Sequence, residues 1–257
     1  MYNLDLYKEK LKDSNIDSSL VDYLYKCLSD EDRLDEFDKD IELLVEGRPI
    51  QYVIGNVNFY GNKILVNNNV LIPRFETELL VEKSIQYIKR LFKDQVHIID
   101  IGTGSGCIAI TLKKELDCSV IGIDISNKAL EVAIENAHLN NVNIDFRKSD
   151  MLKNVDGVYD VIISNPPYIR YDEDIMDIVR DNEPDIALYA IDNGLYYYKE
   201  ILSTCSKILN EKYLICFEIG CEQGEDVKNL AYKYLRDVNV CIEKDYSDRD
   251  RFVFIWN

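Results

Sequence analysis

The chain has 257 residues, of which 47% are hydrophobic and 30% are charged, enough for one large domain and a smaller one. Its formal net charge of −17 argues against a nucleic-acid-binding protein, because such proteins gain much of their affinity from lysine and arginine on phosphates. The acidic N-terminal residues and the lack of a long apolar run predict neither a secretory signal nor a membrane-spanning helix. We therefore expect a soluble, cytoplasmic protein.

Cysteine and histidine are placed without any pattern that is typical of a metal site or a disulfide framework. The seven cysteines contain no Cys-x-x-Cys pair, and the two histidines, His97 and His138, are far apart in the sequence. Reduced, mostly buried thiols and no metal ion are the expectation.

Residues 1–47 are predicted to form a small helical domain. Apolar residues recur at helical spacing from Leu4 to Leu11, and a second helix is expected to start near Asp17-Ser18-Ser19. A third helix is expected from about Ser29-Asp30 to Gly47. The strongly acidic charge of this domain fits the recognition of a basic protein substrate, although a solvated helical surface explains it equally well.

Residues 48–72 are predicted to be a β-hairpin linker, with strands over 51–54 and 63–66 and turn residues between them. From residue 73 to 257, apolar strands alternate with helices, which predicts an α/β domain with a mainly parallel sheet covered on both faces. The predicted strands are 96–101, 120–125, 144–147, 159–164, 213–219, 238–242 and 251–255. The last two strands are close in sequence, which allows one of them to run antiparallel.

A glycine-rich segment follows the first strand of this domain and precedes a helix. It contains the candidate cofactor-binding residues Gly102, Thr103, Gly104, Ser105 and Gly106. Glycines at such a position let a ligand approach the main-chain N–H groups of a helix N-terminus. The dinucleotide fingerprint requires a small residue where this chain has Cys107, so pyrophosphate binding is disfavoured.

Acidic residues lie at the end of the second predicted strand of the domain and shortly after the third. Asp124 follows the glycine segment at the spacing at which a carboxylate can accept the hydroxyl groups of a ribose, and the combination favours a nucleoside cofactor. The alternative for Asp124 is a charge at a helix start. Asp150 and Met151 are candidates for contacts with an adenine amine and ring, and a turn without a ligand is an equal alternative.

The tetrapeptide Asn165-Pro166-Pro167-Tyr168 follows the fourth strand of the domain. Two prolines make a stiff turn with free carbonyl groups, the asparagine adds a side-chain acceptor, and the tyrosine adds a flat face. This combination suits a planar NH2 group better than a carboxylate or a phosphate. The alternative is a strand followed by a Pro-Pro turn in which Tyr168 packs against the core.

Together these motifs resemble the class I S-adenosylmethionine-dependent methyltransferases, and more narrowly the HemK/PrmC family, which methylates a glutamine side chain of peptide-chain release factors. The segments that carry the resemblance are 48–55, 71–79, 100–106, 124–126, 149–150, 164–169, 183–188, 193–195 and 218–224. The chain departs from the family pattern at Phe75, Met151 and Asn193, where proline, tryptophan and aspartate are common.

The resemblance implies a seven-stranded, mostly parallel Rossmann-like sheet, S-adenosyl-L-methionine as the cofactor and a release factor as the protein substrate of a monomeric enzyme. It implies catalytic roles for Asn165, Pro166, Pro167 and Tyr168, with Asn165 also near the cofactor. A ribosomal-protein glutamine methyltransferase, a nucleic-acid amino-methyltransferase and a nucleotide-binding oxidoreductase are the alternatives.

Overall fold

The computed structural model describes residues 2–257, so that Met1, the first residue of the predicted helical domain, lies outside the described part. The N-terminal helices are α1 (Leu4–Asp13), α2 (Ser19–Asp30) and α3 (Phe37–Val45), with a 3-10 turn at Leu34–Glu36. The prediction that a third helix starts near Ser29-Asp30 was wrong, because these two residues complete α2.

The N-terminal helices share an apolar cluster of their own, with Phe37 at its centre. The Phe37 ring is fully buried, and its centroid lies 4.8 Å from that of Tyr2, 5.1 Å from that of Tyr7 and 5.6 Å from that of Tyr25. Edge-to-face aromatic pairs stabilise a folded protein by more than the burial of their surface area alone. The cluster therefore depends strongly on one side chain.

Replacement of this phenylalanine gives a stability prediction. We expect Phe37→Ala to lower the free energy of unfolding by about 3–5 kcal/mol, because it removes a buried ring and leaves a cavity. Urea denaturation followed by circular dichroism would measure the change. Phe75→Ala, at a ring that is 61% exposed, is the matched control and should change stability far less. Equal effects of the two substitutions would show that Phe37 is not the centre of the cluster.

The predicted strand over residues 51–54 was wrong, because these residues form a short helix, α4 (Ile50–Ile54). Pro49 precedes its first turn, and Gly55 ends it in the left-handed conformation, with φ +87°. Ile50, Val53 and Ile54 have the i, i+3, i+4 spacing of a helix and face the N-terminal cluster. Tertiary burial thus overrides the strand preference of the β-branched residues.

A β-hairpin does follow α4, with strands β1 (Asn56–Phe59) and β2 (Asn62–Leu65). Its turn is Tyr60-Gly61, and both residues have positive φ, of 50° and 76°. This geometry matches the right-handed twist of the strands, although tyrosine is an unusual residue for it.

The remaining chain forms a seven-stranded sheet with helices on both faces, which confirms the predicted fold class. The strands are β3 (Val96–Ile101), β4 (Cys118–Asp124), β5 (Asp145–Lys148), β6 (Tyr159–Ser164), β7 (Leu209–Glu218), β8 (Asn239–Lys244) and β9 (Asp250–Trp256). The helices are α5 (Phe75–Leu91), α6 (Cys107–Glu115), α7 (Asn127–Leu139), α8 (Asp177–Arg180), α9 (Asp185–Leu188), α10 (Tyr196–Thr204) and α11 (Gly224–Tyr234).

The strand order is β5-β4-β3-β6-β7-β9-β8, and β9 is antiparallel to both of its neighbours while the other pairs are parallel. One apolar cluster packs α5, α6 and α7 on one face of the sheet, and a second packs α10 and α11 on the other. Within residues 2–257, no helix combines the length and the apolar character that a bilayer crossing requires.

Candidate functional site

The centre of the sheet brings the two main sequence motifs together. Strands β3 and β6 are parallel neighbours, with Ile98 paired with Val161 and Asp100 with Ile163. After β3 the chain continues to β4 and β5 on one side, and β6 starts the other side, so that the strand order reverses here. Such a reversal leaves a crevice at the carboxyl ends of the strands, where open α/β sheets bind ligands.

The glycine segment turns sharply at the end of β3. Gly102, Gly104 and Gly106 all have positive φ, of 71°, 54° and 79°. The Thr103 hydroxyl donates to Asp100 Oδ2 at 2.6 Å, which anchors the turn to the strand. Burial raises the pKa of Asp100 to about 7, and hydrogen bonding by Thr103 opposes the shift. The segment is therefore a rigid main-chain cradle at the start of α6.

Asp124 ties the end of β4 to this cradle. Its Oδ2 accepts from Gly104 N and its Oδ1 from Ser126 N, each at 2.9 Å. Burial raises the pKa of Asp124, and these main-chain hydrogen bonds oppose the shift. Each carboxylate oxygen keeps a further lone pair, so the side chain can also accept from a ligand. Both sequence interpretations of Asp124 are thus compatible with its geometry.

A wide cleft of about 860 Å³, open to solvent, lies over the carboxyl ends of β3, β4 and β6. The predicted site residues that line it are Gly102, Thr103, Gly104, Ser105, Asp124, Met151, Asn165 and Pro167. The predicted site residues that do not line it are Gly106, Asp150, Pro166 and Tyr168.

Gly106 and Asp150 lie outside the cleft lining and make other contacts. At Gly106, a Cβ atom would lie 3.1 Å from Ala133 Cβ, so this glycine permits close helix packing. Asp150 is exposed and forms an ion pair with Lys153 at 2.6 Å. Its neighbour Met151 enters the cleft with a positive φ of 51°. The cofactor roles that we predicted for Gly106 and Asp150 stay predictions.

Asn165 is held by a hydrogen-bonded line of two buried polar side chains. Its Nδ2 donates to Thr77 Oγ1 at 3.0 Å, and the Thr77 hydroxyl donates to Glu218 Oε2 at 2.7 Å. Within the described residues, Asn165 Oδ1 and the Pro166 carbonyl oxygen accept no hydrogen bond. Both acceptors therefore have unused hydrogen-bonding capacity, and the one on Asn165 belongs to a residue of the cleft lining.

The loop that carries Tyr168 is braced by the segments after β7 and before α10. Gln223 Nε2 donates to the Tyr168 carbonyl at 3.1 Å, and Gln223 Oε1 accepts from Gly220 N at 2.9 Å. The main chain of Gly194 passes so close that a Cβ atom there would lie 2.2 Å from Tyr168 O. Arg251 Nη1 lies 3.4 Å from the Tyr168 hydroxyl, and burial raises the pKa of this tyrosine.

An ion pair links the residue before α5 to the segment that precedes α9. The Arg74 guanidinium pairs with the carboxylate of Glu183, whose other oxygen accepts from Ile72 N at 3.1 Å. Glu183 is buried, and the next residue, Pro184, lines the cleft. The bond therefore joins two cleft-forming segments that are more than 100 residues apart.

Neither histidine lies in the cleft lining. His97 is on the amino-terminal half of β3, with Nδ1 3.5 Å from Asp160 Oδ2, and His138 is in the last turn of α7. Over residues 2–257, no group of three or more histidine, cysteine, aspartate or glutamate side chains is arranged to hold a metal ion.

Sequence reasoning assigned no role to several residues of the site. Thr77 and Glu218 contact the Asn165 network, and Ile125 and Tyr197 line the cleft. A signal existed for Glu218, which is a charged residue at the end of the otherwise apolar part of a strand. No local pattern indicated Tyr197.

Sequence comparisons show which proteins this chain is similar to. Residues 76–181 match the methyltransferase small domain family. The chain is 39% identical over 231 residues to a release factor glutamine methyltransferase of Bacillus subtilis, and the match covers 87% of this chain and 80% of the relative. A protein of the same name from Bacillus anthracis is 40% identical over 225 residues, covering 85% and 80%.

A solved structure shares the fold at lower sequence similarity. A methyltransferase from Pyrococcus furiosus has a TM-score of 0.58 and 20% identity, and covers 77% of this chain and 89% of its own. The fold alone is thus shared with distant methyltransferases, whereas the Bacillus relatives match at about twice the identity over most of their length. The chain belongs to the release factor glutamine methyltransferase family.

Proposed function

We propose that the chain transfers a methyl group from S-adenosyl-L-methionine to the side-chain amide nitrogen of a glutamine in peptide-chain release factors. The family relationship supports the reaction class. The observation that carries the proposal is the hydrogen bonding of Asn165. Its Nδ2 donates to Thr77, and its Oδ1 is free to accept from a ligand. An acceptor in this cleft matches the NH2 group of a carboxamide.

The donor groups of the cleft fit the proposed cofactor. Gly102–Ser105 offer a main-chain cradle at a helix start, Asp124 offers carboxylate lone pairs for ribose hydroxyls, and Met151 and Ile125 offer apolar contact for a base. S-adenosyl-L-methionine would supply an electrophilic methyl group on a sulfonium sulfur. The chain's own contribution is to hold the acceptor amide against it.

An amide nitrogen is a poor nucleophile, because its lone pair is delocalised into the carbonyl group. In our proposal, Asn165 Oδ1 and the Pro166 carbonyl oxygen accept the two N–H bonds of the glutamine side chain and aim its nitrogen into the cleft. Pro167 stiffens the loop, and Tyr168 supports it. The proton leaves to water after the transfer.

Positioning of the amide lowers the barrier more than charge stabilisation does. Holding two reactants in line can supply roughly 7–11 kcal/mol of the barrier. Preorganised acceptors beside a developing positive charge add about 3 kcal/mol, the size of single-group deletions at other sites. A histidine base is not required, and both histidines lie outside the cleft lining.

Asp124→Ala tests the ribose assignment. We expect the dissociation constant for S-adenosyl-L-methionine to rise about 10- to 100-fold, because hydrogen bonds to a charged acceptor are lost. Isothermal titration calorimetry would measure it. Asp145→Ala, at an exposed residue of the neighbouring strand β5, is the control and should bind normally. An unchanged dissociation constant in Asp124→Ala would reject the assignment.

The substrate proposal is tested by methyl transfer to three candidate acceptors in parallel. Purified release factor, ribosomal protein and DNA would each be incubated with the enzyme and tritium-labelled cofactor. We expect label on a glutamine of the release factor, as in the names of the Bacillus relatives. Label on the ribosomal protein or on DNA alone would overturn the substrate assignment in favour of the corresponding alternative.

We further propose that the enzyme acts as a cytoplasmic monomer and that residues 1–47 form a domain that helps to recognise the release factor. Two bonds tie these helices to the linker over residues 48–72, and one ties them to the catalytic part. Asn182 Nδ2 donates to Gly47 O at 3.1 Å, Arg33 Nη1 donates to Ile54 O at 2.9 Å, and Lys63 pairs with Glu31. Deletion of residues 1–47 should raise the KM for the release factor in the tritium assay.

A further inference from the structure

Three polar side chains from distant parts of the chain form one hydrogen-bonded line: Asn165 and Thr77, which line the cleft, and the buried Glu218. Thr77 is 3% exposed and Glu218 is 1% exposed, so water hardly competes for these bonds. The line starts at the side chain that we propose to hold the substrate amide. It ends at a carboxylate that is buried at the carboxyl end of β7.

The donors and acceptors along this line follow from the chemistry of its groups. An ionised carboxylate only accepts hydrogen bonds, so the Thr77 hydroxyl donates its single proton to Glu218. Toward Asn165, the Thr77 oxygen can then only accept a hydrogen bond. It therefore selects the NH2 end of the asparagine amide as its partner, at 3.0 Å.

The two ends of an asparagine amide have nearly the same size and shape, so packing alone does not decide which of them faces a ligand. With Nδ2 toward Thr77, Oδ1 is free to accept from the substrate NH2. With the amide turned by half a revolution, two NH2 groups would meet and the substrate would lose its acceptor. We call the pair of acceptors, Asn165 Oδ1 and the Pro166 carbonyl oxygen, the clamp; the orientation of the Asn165 amide decides whether it can hold the substrate NH2 group.

We propose that Thr77 and Glu218 are positioning residues that hold the Asn165 amide with Oδ1 toward the substrate. The inference rests on the proposed function and adds two residues to it. Neither residue has to touch the reacting atoms.

The ionisation of Glu218 gives the line a pH dependence. Burial raises the pKa of Glu218 to about 7, while hydrogen bonding by Thr77, the charge of Arg251 and hydrogen bonding by Asn165 oppose the shift. The titratable and polar groups that surround it are Glu76 and Thr77 on α5, Arg251 on β9, Tyr168 and Asn165 on the loop after β6, Tyr198 on α10 and Cys107 on α6.

The direction of the pH effect follows from which groups can donate a hydrogen bond in each protonation state of Glu218. Above about pH 7 the ionised Glu218 accepts from Thr77 and the amide is held as described. Below that pH a protonated Glu218 can donate to the Thr77 oxygen, and the Thr77 hydroxyl is then free to donate to Asn165 Oδ1. This favours the turned amide, so kcat should rise with pH through about 7.

Thr77→Val and Thr77→Ser form the decisive pair of variants. Valine keeps the shape of threonine without a hydroxyl, and we expect kcat to fall about 10- to 100-fold with little change in the cofactor dissociation constant. Serine keeps the hydroxyl and should restore most of kcat. Thr204→Val removes a hydroxyl that donates to Glu200 O at 2.7 Å, away from the cleft, and is the matched control.

Glu218→Gln provides a second test, which remains valid if Thr77→Val does not fold. Glutamine has the same shape and does not titrate, so the rise of kcat through about pH 7 should vanish. Side-chain 15N NMR gives a readout without turnover, and the Asn165 NH2 resonance is identified by its loss in Asn165→Asp. That resonance should shift with pH in the wild type and not in Glu218→Gln.

The outcomes separate this inference from the proposed function. If the wild-type protein does not methylate the release factor, the proposed function fails whatever the variants do. If the wild type is active and Thr77→Val keeps full kcat, or Thr77→Ser loses as much as Thr77→Val, the positioning roles are refuted. An undiminished pH rise in Glu218→Gln would likewise refute the role of Glu218.

Discussion

Asn165→Ala should lower kcat for methylation of the release factor by about 10²- to 10³-fold, the loss seen when one preorganised charge-stabilising group is removed from other active sites. The alanine has no acceptor for the substrate NH2 group. The two-atom clamp is then reduced to the Pro166 carbonyl, so the amide nitrogen is no longer aimed. Single-turnover transfer of tritiated methyl groups would measure the loss.

Cofactor binding by the Asn165→Ala variant should change little, because the contacts proposed for the nucleoside belong to the ends of β3 and β4. Calorimetry on the same preparation would show this and would also show that the variant is folded. Asn239→Ala, at an exposed position of β8, is the control and should keep full activity. Full activity of Asn165→Ala would end the clamp hypothesis.

Gly194→Ala is expected to damage the site, although no contact of Gly194 itself with cofactor or substrate is proposed. A Cβ atom at this position would lie 2.2 Å from Tyr168 O and 2.3 Å from Gln223 Nε2, so the loop after β6 must move. A displacement of about 1 Å at a reacting group can cost roughly 10²-fold in rate. We expect a fall in kcat of that size and a loss of about 2–3 kcal/mol in the free energy of unfolding.

Gly61→Ala is the control that separates the effect of a steric clash from the effect of backbone strain. Gly61 has a φ of +76°, close to the +80° of Gly194, but a Cβ atom there meets nothing within 4 Å. The control should therefore lose only about 1 kcal/mol of stability, with kcat unchanged. Urea denaturation and the methyl-transfer assay would be run on both variants. If the two variants had the same kcat, the bracing of the Tyr168 loop by Gly194 would not matter for the reaction.

Local patterns were sufficient for the parts of the molecule that depend on local chemistry. Apolar runs of strand length, separated by helical stretches, predicted all seven strands of the sheet within a few residues of their ends. The glycine segment and the Asn165 tetrapeptide were found because their unusual residues are adjacent in sequence. The strand over 51–54 was predicted wrongly because the burial of Val53 and Ile54 against the N-terminal cluster, rather than their own preference, decides their conformation.

By itself, the sequence determined the alternation of strands and helices, the glycine cradle after β3, the carboxylate at the end of β4 and the stiff turn after β6. Only the tertiary structure decided that β6 lies beside β3 and that the turn and the cradle share one cleft. It also decided that Asn165 meets Thr77, 88 residues earlier, and that Thr77 meets Glu218, 141 residues later. The physical reason is that such bonds depend on strand order and helix packing, which are set by the burial of the whole core.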